Sequence, residues 1–225
     1  MASILYAWEF GANLGHVGAF MPLARALSDA GHDVHWMVTQ PAVVGDFLAG
    51  EGFDWLAAPT MPEVARPGPP LTYADILLRF GYADPRALFG LVGGWREAMR
   101  LTGAQLVLAD HAPTALLAAR TLGIPVMLFS NGFTAPPRRS PLPNMRPWSP
   151  VPEQALSQLD LTALFAVNSV LARHHCAQMQ HLADLFDVAE EALVTFPELD
   201  HYPDRGPARY WGSLPSAGAG RSVTW

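Results

Sequence analysis

His16 and Asp110 are the residues whose types and settings best suit chemistry. His16 closes a glycine-rich turn in the stretch LGHVGAFMPLARALSDAGHDVHWMV. An imidazole titrates near neutral pH, so it can serve as a general base. Asp110 ends the apolar run QLVLAD. A carboxylate on the second imidazole nitrogen would fix the ring's tautomer and stabilise the imidazolium formed on proton uptake. A plainer reading stands beside this one. In it His16 caps a helix start, and Asp110 is the N-cap of the helix that begins near Pro113.

Other candidate motifs are weaker. Gly11, Gly15 and Gly18 lack the G-x-G-x-x-G spacing, and the run after them ends in Thr39-Gln40 with no acidic residue for a ribose hydroxyl. A nicotinamide-dependent reductase is therefore disfavoured, and the glycines serve a tight turn. His174, His175, Cys176 and His181 raise the idea of a metal. On one continuous helix His174 and His181 would share a face, but ordinary helix histidines account for them, and no metal is expected. Glu190-Glu191 reads as a solvated helix end. A single cysteine excludes an internal disulfide framework and a cysteine-based zinc site. No G-x-S-x-G occurs.

Positioning His16 and Asp110 requires strands that end beside each other. Residues 3–8 form a short apolar run, read as a first strand, with a turn over residues 10–16 and a helix over 17–30. Pro22 should bend that helix, and Gly31 should stop it. Strands are predicted over 32–39 and 53–58, with a helix over 41–50 between them. Further on come helices over 72–80 and 85–101, a strand over 105–109, a helix over 113–122 and a strand over 125–129. Residues 130–152 carry seven prolines and form a long irregular loop of the kind that is usually functional. A helix over 153–186, with a break near Asp160, and short strands over 193–196 and 208–211 complete the reading. This alternation predicts an α/β fold with a mostly parallel, Rossmann-like sheet of about seven strands. In such sheets ligands gather outside the carboxyl ends of the strands, which is where His16 and Asp110 fall.

Composition narrows the classes further. Half of the 225 residues are hydrophobic and 15% are charged, so the chain is not intrinsically disordered. The length suits one well-buried core. The charged set is 14 Arg, no Lys and 20 acidic residues, for a net charge of −6. The only adjacent basic pair is Arg138-Arg139, so nucleic acid is not an expected partner. The longest uncharged run, residues 121–137, is broken by prolines and glycines and cannot make a membrane-spanning helix. The N-terminus MASILYAWEF has no basic region, so no signal peptide is read, and a cytoplasmic location is expected.

Three stretches together resemble the acceptor-binding, N-terminal half of GT-B glycosyltransferases, in the nucleotide-sugar-dependent, UDP-glycosyltransferase-like group that decorates natural products. The first is the strand, the loop ending in Gly15-His16, the helix, and Gly31-His32 before the second strand. The second is QLVLADHAPTALLAARTLGIPVMLFS. The third is FPELDHYPDRGPARYWGSLP, similar to the segment before the interdomain linker. The family often has proline three residues after the histidine, where this chain has Ala19 and a later Pro22.

The resemblance implies that His16 is the catalytic base, with Asp110 supporting it. An acceptor oxygen would displace the nucleotide in one inverting step without protein-bound metal. The co-substrate would be a UDP- or dTDP-sugar, with no tightly bound cofactor. Acceptor contacts are expected from Phe10, Asn13, Phe80, Phe133 and Trp148, within a wider aromatic set that includes Tyr82, Phe89 and Trp95; these suit a hydrophobic small-molecule acceptor. Asn13 and Gly15 are candidates for the donor phosphates. Residues 1–212 would be the acceptor-binding domain and residues 213–225 the start of the linker. The sequence contains no donor-binding half, so the chain is expected to be a truncated form or one partner of a split enzyme, inactive alone and completed in cis or in trans. The open rim predicts self-association, as a homodimer. The alternative is a non-catalytic small-molecule-binding module or accessory half of the same fold.

Overall fold

A computed structural model describes residues 1–213. Apart from Ser213, the expected linker lies outside the described residues. The elements run β1 (Ser3–Trp8), α1 (Gly15–Asp29), β2 (Asp33–Val38), α2 (Pro41–Gly50), β3 (Trp55–Ala57), α3 (Tyr73–Arg79), α4 (Pro85–Leu101), β4 (Leu106–Asp110), α5 (Pro113–Leu122), β5 (Val126–Ser130), α6 (Glu153–Arg173) and β6 (Glu190–Leu193). Six parallel strands form one sheet in the order β3-β2-β1-β4-β5-β6. The chain winds outward from β1 to β3 and then returns to lay β4 against the other side of β1. The loops after β1 and β4 therefore leave in opposite directions, and this reversal opens a crevice at the carboxyl edge.

Strand alternation feeds two cores. Ile4, Tyr6, Trp8, Trp36 and Val38 face α1 and α2, where they meet Val17, Phe20, Met21, Val44 and Leu48. Tyr6 stacks on Phe20 with ring centroids 4.2 Å apart. Leu5, Ala7, Val107, Ala109 and Leu128 face the other way, into the core built with α3 to α6. Each large apolar side chain so buried contributes about 1.5–3 kcal/mol.

Local signals set the helix ends. Gly31, at φ 84°, donates to Ser28 O at 2.9 Å while His32 donates to Leu27 O at 3.0 Å, the paired bonds of a Schellman stop for α1. Pro41, Pro85 and Pro113 open α2, α4 and α5, where a missing N–H costs nothing. Asp84 also caps α4, accepting from Arg86 N at 2.9 Å. Pro22 stays inside α1.

The structure corrects several expectations. The sheet has six strands among the described residues. The run expected as a seventh, residues 208–211, makes a single bridge from Tyr210 to Leu193, since Pro203, Gly206 and Pro207 just before it cannot extend a ladder. β6 begins three residues earlier than expected, so Glu190 and Glu191 lie on a strand rather than at a solvated helix end. Glu191 is half-buried, with Oε1 3.4 Å from Arg205 Nη1.

The long helix does not break near Asp160. That residue is buried, and its Oδ2 accepts the Leu142 amide at 2.9 Å, which ties the proline-rich loop to α6. The helix ends instead at Arg173. His175, at φ 57°, turns the chain away, and a separate 3₁₀ turn spans Leu182–Phe186. His174 and His181 thus do not share a helix. α6, at 21 residues, has the length and apolarity of a membrane-spanning helix, which the reading of uncharged runs did not anticipate. Its buried face, with Ala163, Ala166, Val167 and Val170, packs on α3 and α4 as core helices do.

Candidate active site

The turn after β1 is built by hydrogen bonds from its own residues. Trp8 Nε1 donates to Phe10 O at 2.6 Å, and Phe10 N donates to His111 O at 3.0 Å. Glu9 turns inward, where its Oε2 accepts from Thr114 N at 2.8 Å, at the start of α5. These bonds lace the β1 turn to the β4 turn and so bring the segment carrying His16 to the one carrying Asp110. Gly11 sits at φ 101°, and a Cβ there would lie 2.7 Å from His16 Nε2. Only glycine lets the turn pass this close to the imidazole.

His16, in the first turn of α1, places Nδ1 2.9 Å from Asp110 Oδ2. The Trp8 ring stacks on the imidazole at 5.2 Å, which fixes its plane. Tyr6 Oη donates to the same Asp110 oxygen at 3.0 Å. Burial, then the charge and hydrogen bond of Asp110, push the Tyr6 phenol well above its ordinary value, so it remains a donor. Among the described residues no hydrogen bond occupies His16 Nε2. An imidazole held this way accepts a proton at Nε2 while the carboxylate stabilises the resulting cation.

Behind the pair lies His111, with a ring centroid 6.2 Å from that of His16. Burial, followed by the charge of His16, pushes its pKa down to about 3 against a hydrogen bond to the Phe10 backbone, so it is a neutral imidazole. Burial lifts Glu9 to about 8 despite its bonds from Thr114. Glu9 Oε1, Tyr73 Oη and His111 Nε2 are buried with no hydrogen-bond partner among the described residues.

A cleft of about 310 Å³ opens beside His16 along the carboxyl edge. It is walled by Gly15, His16, Asp110, Ser130, Asn131 and Val194, which come from the ends of β4, β5 and β6 and the start of α1. The expected residues distribute unevenly around it. Gly15 borders the cleft, whereas Asn13 is exposed and not among its walls, its N–H donating to Gln40 Oε1 at 3.1 Å. Phe10, Phe80 and Phe133 gather around His111. The Phe10 ring lies 4.6 Å from Phe80 and 5.4 Å from His111, and Phe133 lies 6.0 Å from His111. Phe10 is itself buried, so it forms the floor of that cluster. Trp148 stands apart, exposed, and makes no ring contact among the described residues. Tyr82 and Trp95 are core side chains, and Phe89 stacks on His174 at 5.2 Å, away from this cluster.

Sequence reasoning missed Tyr6, Glu9 and His111, and reached Ser130 and Asn131 only as the start of the irregular loop over residues 130–152. Strand alternation carried a signal for Tyr6: it is two residues before Trp8, which faces Asp110 in the β1–β4 register. Among the described residues no group of three or more His, Cys, Asp or Glu is placed to hold a metal ion.

No family model matches this sequence, and no curated protein matches it either. Solved structures do. The glycosyltransferase of kitacinnamycin superposes with a TM-score of 0.65 at 18% identity, covering 96% of this chain and 52% of its own. VinC, solved in complex with dTDP, gives 0.59 at 19% identity, covering 100% and 56%. SnogD from Streptomyces nogalater gives 0.58 at 19% identity, covering 100% and 55%. This chain has the fold of one half of a GT-B glycosyltransferase. It spans about half the length of the glycosyltransferases it matches. The cleft beside His16 lies at the edge of the sheet where β1 and β4 diverge, and Ser213, the last described residue, is also one of its walls.

Proposed function

We propose that this chain is the acceptor-binding half of an inverting glycosyltransferase that moves a sugar from a nucleotide-sugar, a UDP- or dTDP-sugar, to a hydroxyl of a hydrophobic small molecule. The observation that carries the reading is the His16–Asp110 pair, 2.9 Å apart at the mouth of the cleft, with Nε2 free of hydrogen bonds among the described residues. His16 Nε2 takes the proton of the acceptor hydroxyl. The oxygen attacks the anomeric carbon, the bond from that carbon to the phosphate oxygen breaks, and the nucleoside diphosphate leaves. Asp110, supported by Tyr6, stabilises the imidazolium. The aromatic cluster of Phe10, Phe80 and Phe133 borders the acceptor, and Gly15 approaches the donor phosphates.

The donor-binding half is provided in cis or in trans. The exposed apolar side chains beyond the carboxyl edge, Leu14, Phe196 and Trp211 among them, suit its docking. The isolated chain is accordingly inactive.

The test is reconstitution. Combined with a donor-binding half, the chain should transfer sugar to an apolar hydroxylated acceptor. His16→Ala should then lower kcat by roughly 10²–10⁴-fold with acceptor affinity kept. Unchanged turnover by His16→Ala would remove the base, and full turnover by the isolated chain would remove the half-enzyme reading.

A further inference from the structure

A second cavity, of about 400 Å³, shares no lining residue with the His16 cleft and sits between the segment before α3 and the proline-rich loop before α6. It is a positive pocket in a chain of net charge −6. Its charged lining is two arginines, Arg66 and Arg146, and one carboxylate, Asp75. Arg66 Nε donates to Asp75 Oδ1 at 2.8 Å. Arg146 Nη2 donates to the carbonyls of Pro69 and Pro70 at 3.2 and 2.7 Å. These bonds fix each guanidinium by one part of its fork. Among the described residues no partner takes the Arg66 terminal nitrogens or Arg146 Nε and Nη1.

The carboxylate in the wall is already engaged. Asp75 is buried, and besides Arg66 its Oδ2 accepts from Leu71 N at 3.2 Å and lies 3.8 Å from Arg79 Nη2. Arg79 in turn donates to Gly68 O at 2.7 Å, which holds the loop carrying Arg66. On the opposite side Asn144 accepts from Arg146 N at 2.9 Å and donates to Ser149 O at 2.8 Å, which shapes the turn carrying Arg146. Both cations are thus placed before any ligand arrives, and little ordering entropy remains to be lost on binding. Pro67, Pro69, Leu71 and Leu159 supply apolar walls.

We infer that this pocket is a binding site for a carboxylate carried on an apolar body, with Arg66 and Arg146 clasping the carboxylate and the proline and leucine walls covering the rest. A planar guanidinium matches a carboxylate with parallel N–H···O bonds. The buried Asp75 disfavours a dianion more than a monoanion, which separates a carboxylate from free phosphate. The volume accommodates a body of about two rings. The inference does not rest on the transferase reading, because neither arginine belongs to the His16 cleft.

The test uses the isolated chain, titrated with 2-naphthoate, neutral 2-naphthamide and inorganic phosphate by calorimetry, with arginine side-chain Nε–H resonances followed in parallel. Naphthoate should bind with one-to-one stoichiometry, roughly tenfold or more tighter than naphthamide, and should shift the Arg66 and Arg146 resonances. Arg66→Gln and Arg146→Gln should each weaken naphthoate by roughly tenfold and leave naphthamide unchanged. Arg146 also braces two loop carbonyls, so the wild-type resonance shifts decide the matter if that variant fails to fold. Equal binding of acid and amide, tighter binding of phosphate than of naphthoate, no binding, or shifts confined to the His16 cleft would each overturn the proposal.

Discussion

His16 Nδ1 and Asp110 Oδ2 meet at 2.9 Å across 94 positions of sequence, and Tyr6 Oη shares the same carboxylate oxygen at 3.0 Å. Because the carboxylate can only accept, the imidazole proton belongs on Nδ1 and the lone pair on Nε2. Nitrogen NMR of the isolated chain at about pH 8 should find His16 as the Nδ1–H tautomer. Asp110→Asn should shift the ring toward a tautomer mixture, and Tyr6→Phe should not. A wild-type His16 carrying its proton on Nε2 would leave no base facing the cleft.

Gly11 tests the same geometry from the other side of the ring. Its φ of 101° suits glycine alone, and an added Cβ would lie 2.7 Å from His16 Nε2. Gly11→Ala should cost about 1–2 kcal/mol from the left-handed backbone, read as a lowered unfolding midpoint in denaturant. It should also displace the imidazole, seen as a changed His16 NMR signature. A variant with wild-type stability and an unmoved His16 signal would show that the turn does not press on the ring.

What the sequence revealed follows from how far each signal reaches. The bounds of α2, α4 and α5 were legible because their signals are local: a proline at the first turn of each, and Gly123 closing α5. The meeting of His16 and Asp110 was legible because one opens the helix that follows β1 and the other ends β4, so both lie on the carboxyl side of a parallel sheet. Tyr6, Glu9 and His111 were not, because their roles depend on register between β1 and β4 and on a turn packed against a helix start far away in sequence. The boundaries after residue 173 were misread for the same reason. That segment is held by long-range bonds such as those of Arg205 to Gly132 O and Ala135 O, which leave no periodic mark.

Arg205 and Asp200 form the buried ion pair that anchors this last segment, with side chains 5% and 2% exposed. Burial pushes the Asp200 carboxyl up, but the hydrogen bonds from Arg205, Tyr202 N and Tyr210 Oη outweigh it and hold the pKa below the ordinary value. Arg205→Ala would leave Asp200 buried without its cation and remove the brace on the loop after β5. The expected loss is about 3–5 kcal/mol, measured by denaturant unfolding. A loss under about 1 kcal/mol would mean that the segment is held elsewhere.

Glu9 should set the pH dependence of stability just above neutrality. Its pKa rises from 4.5 unfolded to about 8 folded, so the folded state keeps a proton that the unfolded chain releases. The contribution of Glu9 is fully present below about pH 4.5, falls as pH rises, and is gone above about pH 8. His111 runs the other way: its pKa falls from 6.5 to about 3, so its contribution is complete above 6.5 and is lost as pH drops toward 3. Between about pH 4.5 and 6.5 the two slopes oppose each other. From about 6.5 to 8 His111 is neutral in both states, and Glu9 acts without that opposition. Stability should therefore decline across this window by up to about 1.4 kcal/mol per pH unit. Glu9→Gln keeps an acceptor for Thr114 N but cannot ionise, so its unfolding midpoint should stay level over the same range. A wild-type profile that is flat or rising from pH 6.5 to 8, or a Glu9→Gln profile that declines just as steeply, would mean that this carboxyl is charged in the fold, and that its unpaired Oε1 faces a compensating group or water.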